Sequence, residues 1–120
     1  MGGYYKFEKL ETWKRAREFL KVVYIISKDF PDDERFGLTS QMRRATLSIV
    51  LNIAEGSQRN SDKDFVRFLQ ISYGSLLEVV SCCYTAKDLG YLSEERFSFI
   101  YNKSHIVAKK INSLKKTLTK

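Results

Sequence analysis

Apolar residues return along this chain at steps of three and four, the spacing that places side chains on one face of an α-helix. From Leu10 to about Lys28, Trp13, Ala16, Leu20 and Val23 make one seam and Phe19, Val22 and Ile26 a second, which predicts a first helix with a broad buried face. Phe30-Pro31-Asp32-Asp33 stops it, because proline lacks a backbone donor and disfavours helical geometry in the residue before it. A second helix is predicted from Leu38 to Gly56, with Met42, Ala45, Ile49 and Ile53 as core stripe, Thr39 or Ser40 as cap and Gly56 as terminating glycine. Ser61-Asp62-Lys63-Asp64 opens a third, in which Phe65, Leu69, Ser72, Leu76, Val79, Cys83 and Ala86 repeat in heptads until Gly90. Ser93-Glu94-Glu95 opens a fourth, carried by Phe97, Ile100, Ser104, Val107, Ile111, Leu114 and Leu118.

No strand pattern competes with these helices. Short connections leave consecutive helices as antiparallel neighbours, so the expected fold is all-α, an antiparallel up-down-up-down four-helix bundle. It forms a single domain over residues 10–120 behind a loose lead-in at residues 1–9.

The second helix departs from the ordinary amphipathic pattern. Between Ala45 and Ala54 no residue is charged, and Leu47, Val50, Leu51 and Ala54 occupy faces that a surface helix keeps wet. A chain of 120 residues has one core, so a second copy is expected to cover this candidate oligomer interface. Beside the core stripe runs a polar one, Gln41, Arg44, Ser48, Asn52 and Glu55. Arg43 and Arg44 stand in the first turns against the helix dipole, a placement that calls for partners. A structural polar network of Arg43, Arg44, Asn52, Glu55, Arg67 and Glu78 follows, with Asn52 and Glu55 at least partly buried and an arginine reaching one of the carboxylates. Gly74, in mid-helix, is expected to mark a close approach of two helices.

Composition adds exclusions. With 43% hydrophobic and 29% charged residues the chain is that of an ordinary folded domain. Its longest uncharged runs are ten residues, about half of what a bilayer crossing needs, and no apolar secretory segment opens it, so no membrane partner and a cytoplasmic location are expected. Cys82 and Cys83 are adjacent on a helix, where their side chains diverge too far to bridge, and read as small buried residues. The sequence holds one histidine, His105, and no glycine-rich phosphate loop, nucleophile elbow or paired-histidine motif. No catalytic residue, cofactor or metal is therefore assigned.

Charge is informative through its distribution. Of the formal +7, residues 96–120 carry seven basic side chains and no acid, while the first 95 residues carry fourteen of each sign. Lys103, Lys109, Lys110, Lys115 and Lys116 form a basic strip beside the fourth helix's seam, a candidate contact for phosphates that reads no sequence. No exposed aromatic platform is expected there for stacking bases. The competing reading is a solvated face that complements the helix C-terminus.

The run Gln41-Met42-Arg43-Arg44-Ala45, then Ser48-Ile49 and Asn52-Ile53-Ala54-Glu55-Gly56, with Phe65, Arg67-Phe68-Leu69, Gly74-Ser75-Leu76, Glu78 and Leu89-Gly90-Tyr91-Leu92, resembles the bacterial 23S rRNA intervening-sequence family. One departure is that many members carry proline after the Ser-Ile pair, where Val50-Leu51 stand here, which implies a straighter second helix. The resemblance implies an antiparallel four-helix bundle assembled as a homopentamer, with RNA or a nucleoprotein as partner by analogy with a basic pentameric accessory protein of retroelements. The expected function is a non-enzymatic oligomeric RNA- or nucleoprotein-binding module. A protein–protein scaffold without nucleic-acid binding is the alternative.

Overall fold

The computed structural model describes residues 3–120. Four helices follow in order, α1 (Glu11–Ser27), α2 (Leu38–Ser57), α3 (Asp62–Asp88) and α4 (Glu94–Leu118), with no strand among the described residues. Each packs on its neighbours in the sequence and α1 also packs on α4, which closes a four-helix bundle; α2 and α3 share the most extensive seam. The bundle is 44 Å long, as a helix of α3's length at about 1.5 Å per residue requires.

The core lies where the predicted seams converge. Ala16, Phe19 and Val23 from α1, Met42, Ile49 and Ile53 from α2, Leu69, Leu76 and Val79 from α3, and Ile100, Val107 and Ile111 from α4 are all essentially sealed from solvent. Buried hydroxyls on the same faces find acceptors: Ser72 donates across the α2–α3 seam to the Ile49 carbonyl at 2.9 Å, and Thr46 donates to the Met42 carbonyl at 2.7 Å.

Helix ends follow local chemistry, partly as predicted. The Ser61 hydroxyl accepts from Asp64 N–H, and the Ser93 hydroxyl from Arg96 N–H. Gly90 adopts φ +80°, which lets Tyr91 N–H reach back to the Ala86 carbonyl and Gly90 N–H to the Lys87 carbonyl, closing α3.

Thr39 and Ser40 do not cap α2. The start of that helix is held by the Glu34 carboxylate, which accepts from Leu38 N–H at 3.0 Å from a short 3₁₀ turn at Asp32–Glu34. An acid at that place also complements the helix dipole. Gly56 does not end α2 either, since the helix runs on to Ser57. A Cβ on Gly56 would stand 2.7 Å from Phe68 Cβ and 2.9 Å from a Phe65 ring carbon, so the glycine is required by close packing of α2 on α3. Gly74, for which that role was expected, has no atom within 4 Å of such a Cβ and faces outward. Among the described residues the glycine that sits in a helix–helix seam is thus Gly56 of α2 rather than Gly74 of α3.

Of the lead-in, Met1 and Gly2 lie outside the described residues. Lys6–Lys9 form a 3₁₀ turn rather than an irregular approach, because Phe7 packs edge-on against Trp13 at 4.8 Å between ring centres.

Candidate nucleic-acid interface

On α4 the seam buries Phe97, Ile100, Ser104, Val107 and Ile111, and the lysines fall on either side of it. Lys103, Lys109 and Lys116 are exposed, while Lys110 and Lys115 are half-buried along their stems. No carboxylate among the described residues lies within ion-pair distance of these five; the one basic residue of the last 25 that is so paired is Arg96, 2.6 Å from Asp29. The strip therefore presents its charge to solvent. The expectation that α4 lacks exposed aromatics is corrected: Phe99 and Tyr101 flank the seam half-exposed, and the Lys103 ammonium sits 5.5 Å above the Phe99 ring. His105 is exposed and joins no cluster.

The polar stripe of α2 divides among separate partners instead of forming one network. Asn52 is half-buried and donates to the Ser48 carbonyl at 2.8 Å and to its hydroxyl at 3.1 Å, while Ser75 of α3 donates to that same hydroxyl at 3.0 Å. Glu55 is exposed and pairs with Arg59 one turn on, Arg67 pairs with Asp64 at 3.1 Å, and Glu78 accepts from Gln41. The predicted arginine–carboxylate pairs of Arg43, Arg44 or Arg67 with Glu55 or Glu78 do not form. Arg59, one turn on, reaches Glu55 first, Gln41 of α2 reaches Glu78, and both carboxylates point to water, where nothing compels a buried partner.

Arg43 does find a partner, at the end of α1. It donates to Ser27 Oγ at 2.8 Å and to the Tyr24 carbonyl at 3.2 Å, and its guanidinium lies 4.6 Å above the Tyr24 ring. The Tyr24 carbonyl belongs to the last turn of α1, where it also accepts from the Ser27 hydroxyl at 3.3 Å, so the cation that is misplaced for the dipole of α2 is well placed for that of α1. Arg44, one residue on, is exposed with no hydrogen bond or ion pair among the described residues.

The candidate oligomer face is also redrawn. Val50 is 6% exposed and belongs to the subunit's own core, and Ala54 is half-buried, whereas Leu47 and Leu51 stand 39% and 54% exposed. On α3, Ile71 and Leu77 are exposed to a similar degree on either side of Gly74.

Tyr24, Arg35 and Phe36, which were not singled out from the sequence, join Arg43, Arg44 and Leu47 around an open concavity of about 430 Å³ between α1 and α2, with the Arg35 guanidinium 5.6 Å above the ring of Phe36. The only available signal was aromatic–arginine adjacency, as in Arg35-Phe36, a pattern too short to single out alone.

Among the described residues no group of three histidine, cysteine or acidic side chains could hold a metal ion, and no helix is long and apolar enough to cross a membrane. Burial pushes the Cys83 thiol up to about 12; burial and the Glu78 charge raise that of Cys82. Both are thus poor nucleophiles.

The family model described as "23S rRNA-intervening sequence protein" matches residues 8–113. A crystal structure of a protein of unknown function from the S23 ribosomal protein family of Bacteroides thetaiotaomicron superposes with a TM-score of 0.79 at 24% identity, over 88% of this chain and 98% of that one. No curated protein matches.

Proposed function

Because this chain belongs to the 23S rRNA-intervening sequence protein family, we propose that it is a non-enzymatic, oligomeric module that binds RNA or a nucleoprotein. The observation that carries this reading is the unpaired lysine strip of α4, where the formal excess of charge is concentrated without a carboxylate to neutralise it. Such a strip gains affinity by releasing counterions from phosphates and discriminates little between sequences. The half-exposed Phe99 and Tyr101 add base-stacking surface to what would otherwise be a purely electrostatic contact.

Self-association completes the proposal. Leu47 and Leu51 on α2 and Ile71 and Leu77 on α3 are large apolar side chains left to solvent by the isolated subunit, and Gly74 between the latter two offers a partner backbone a place to approach. A homopentameric ring is the assembly that the family resemblance implies, and repetition of a weak strip around a ring multiplies its affinity wherever one RNA touches several copies.

The test is a Lys109→Gln, Lys110→Gln, Lys116→Gln variant, titrated with unrelated RNAs at several salt concentrations. Binding weakens about equally for all of them, and the salt dependence flattens by up to about one slope unit per lost phosphate contact. An unchanged affinity and slope would instead favour the scaffold reading, in which the apolar patches are the functional surface and α4 keeps the assembly in solution.

A further inference from the structure

We propose that the groove between α1 and α2 is a second RNA site, one that takes a single strand by stacking its bases between aromatic rings and arginines. The inference rests on the reading that the protein binds RNA, but not on which helix does so.

Its grounds are the company its charges keep. Arg35 and Arg44 are exposed and have no carboxylate within ion-pair distance among the described residues, and Arg43, although anchored to α1, brings a third guanidinium to the same rim. Phe36 is 91% exposed and Tyr24 39%, and each carries an arginine over its face. A large ring left almost wholly in water contributes nothing to the fold, and a guanidinium above it supplies the phosphate contact beside the stacking surface.

Past Tyr24 the groove continues along the outer side of α1 as a concavity of about 720 Å³ bordered by Lys14, Arg17 and Lys21. It ends where the Arg17 guanidinium lies 5.2 Å above Trp13, about 16 Å along the helix axis from Tyr24. Aromatic rings thus stand at both ends of a run of basic side chains along this face. Among the described residues bordering the two concavities the one carboxylate is Glu18, which Arg15 holds at 3.5 Å; Asp32 borders a separate concavity that shares Arg35 and Arg43. The face therefore attracts an anionic chain along its length. Duplex RNA cannot use it fully, since its bases already stack on one another and only unpaired bases offer a free face to a ring.

The experiment compares a short labelled oligouridylate with a duplex RNA of equal length by fluorescence anisotropy. In a Phe36→Ala, Arg44→Gln variant, two exposed positions without fold contacts of consequence, affinity for the single strand falls about tenfold or more while duplex binding holds, and the single-strand salt slope drops by about 0.7 for the lost phosphate. The α4 triple variant weakens both ligands. If the Phe36/Arg44 variant binds oligouridylate as the parent does, the groove is not an RNA site and the α4 reading stands untouched. If the loss comes with a changed sedimentation coefficient, the face joins copies of the chain and the proposal falls. A parent that binds neither RNA removes both readings together.

Discussion

Tyr91 Oη donates to Glu34 Oε2 at 3.0 Å, while the other oxygen of the same carboxylate accepts the Leu38 N–H that begins α2. One side chain therefore ties the α3–α4 connection to the start of a helix in the other half of the bundle. Glu34→Ala is expected to cost about 1 kcal/mol through the lost helix start, and a double-mutant cycle with Tyr91→Phe to show a coupling distinct from zero. Additive effects within error would mean that the two loops stabilise the bundle independently.

Gly56 and Glu55 are adjacent and should behave in opposite ways. Glu55 is exposed in its pair with Arg59, so Glu55→Ala is expected to change stability by less than about 0.5 kcal/mol. Gly56→Ala pushes a methyl against Phe68 Cβ and the Phe65 ring and is expected to cost about 1–3 kcal/mol. Urea titrations of the two variants check the contrast.

Gly74→Ala should act in the other direction. With open space around that position, the added methyl removes backbone freedom from the unfolded chain and stabilises the subunit by about 0.5–1 kcal/mol. Unfolding measured at dilutions where the chain is monomeric reads this directly, and a loss of stability there would contradict the open environment of the site.

Alkaline pH should weaken the fold through Cys83. Its thiol titrates at about 12 in the folded protein against an ordinary value of 9.0, so the stabilisation is fully present below pH 9 and is lost as pH rises toward 12. The expected slope from this group is at most about 1.4 kcal/mol per pH unit. Tyr91, raised above its usual value of 10.0 by its hydrogen bond to Glu34, with smaller contributions from burial and nearby acids, adds to the loss in the same direction. Comparing the pH dependence of stability in Cys83→Ala and parent isolates the thiol's share, and parallel curves above pH 9 would show that it has none.

The bundle was legible because it depends on periodicity, and Leu69, Leu76, Ile100 and Val107 are buried where their spacing puts them. What periodicity could not supply was the identity of each side chain's partner. Glu55 met Arg59 because that residue is one turn away, and Arg43 crossed to the end of α1, where the Ser27 hydroxyl and the Tyr24 carbonyl accept from it and the helix dipole favours a cation. Charge counted along the chain was similarly blind. The first 95 residues balance, yet their acids gather at helix starts and in connections, as in Asp32–Glu34 and Asp62–Asp64, while Arg17, Arg35, Arg43 and Arg44 come together along one face. Val50 was misplaced for a simpler reason: the buried arc of α2 is wider than one stripe.

The glycine seam between α2 and α3 also bears on how the chain reaches its fold. These two helices are consecutive, joined by a connection of only a few residues, and their interface is the most extensive in the bundle, so it gains the most packing for the least chain closure. The α2–α3 hairpin is then the natural nucleus, assembled before α1 and α4 dock. Perturbing Gly56 should slow refolding in stopped-flow experiments, whereas trimming Ile111 on α4 should leave refolding nearly unchanged and speed unfolding.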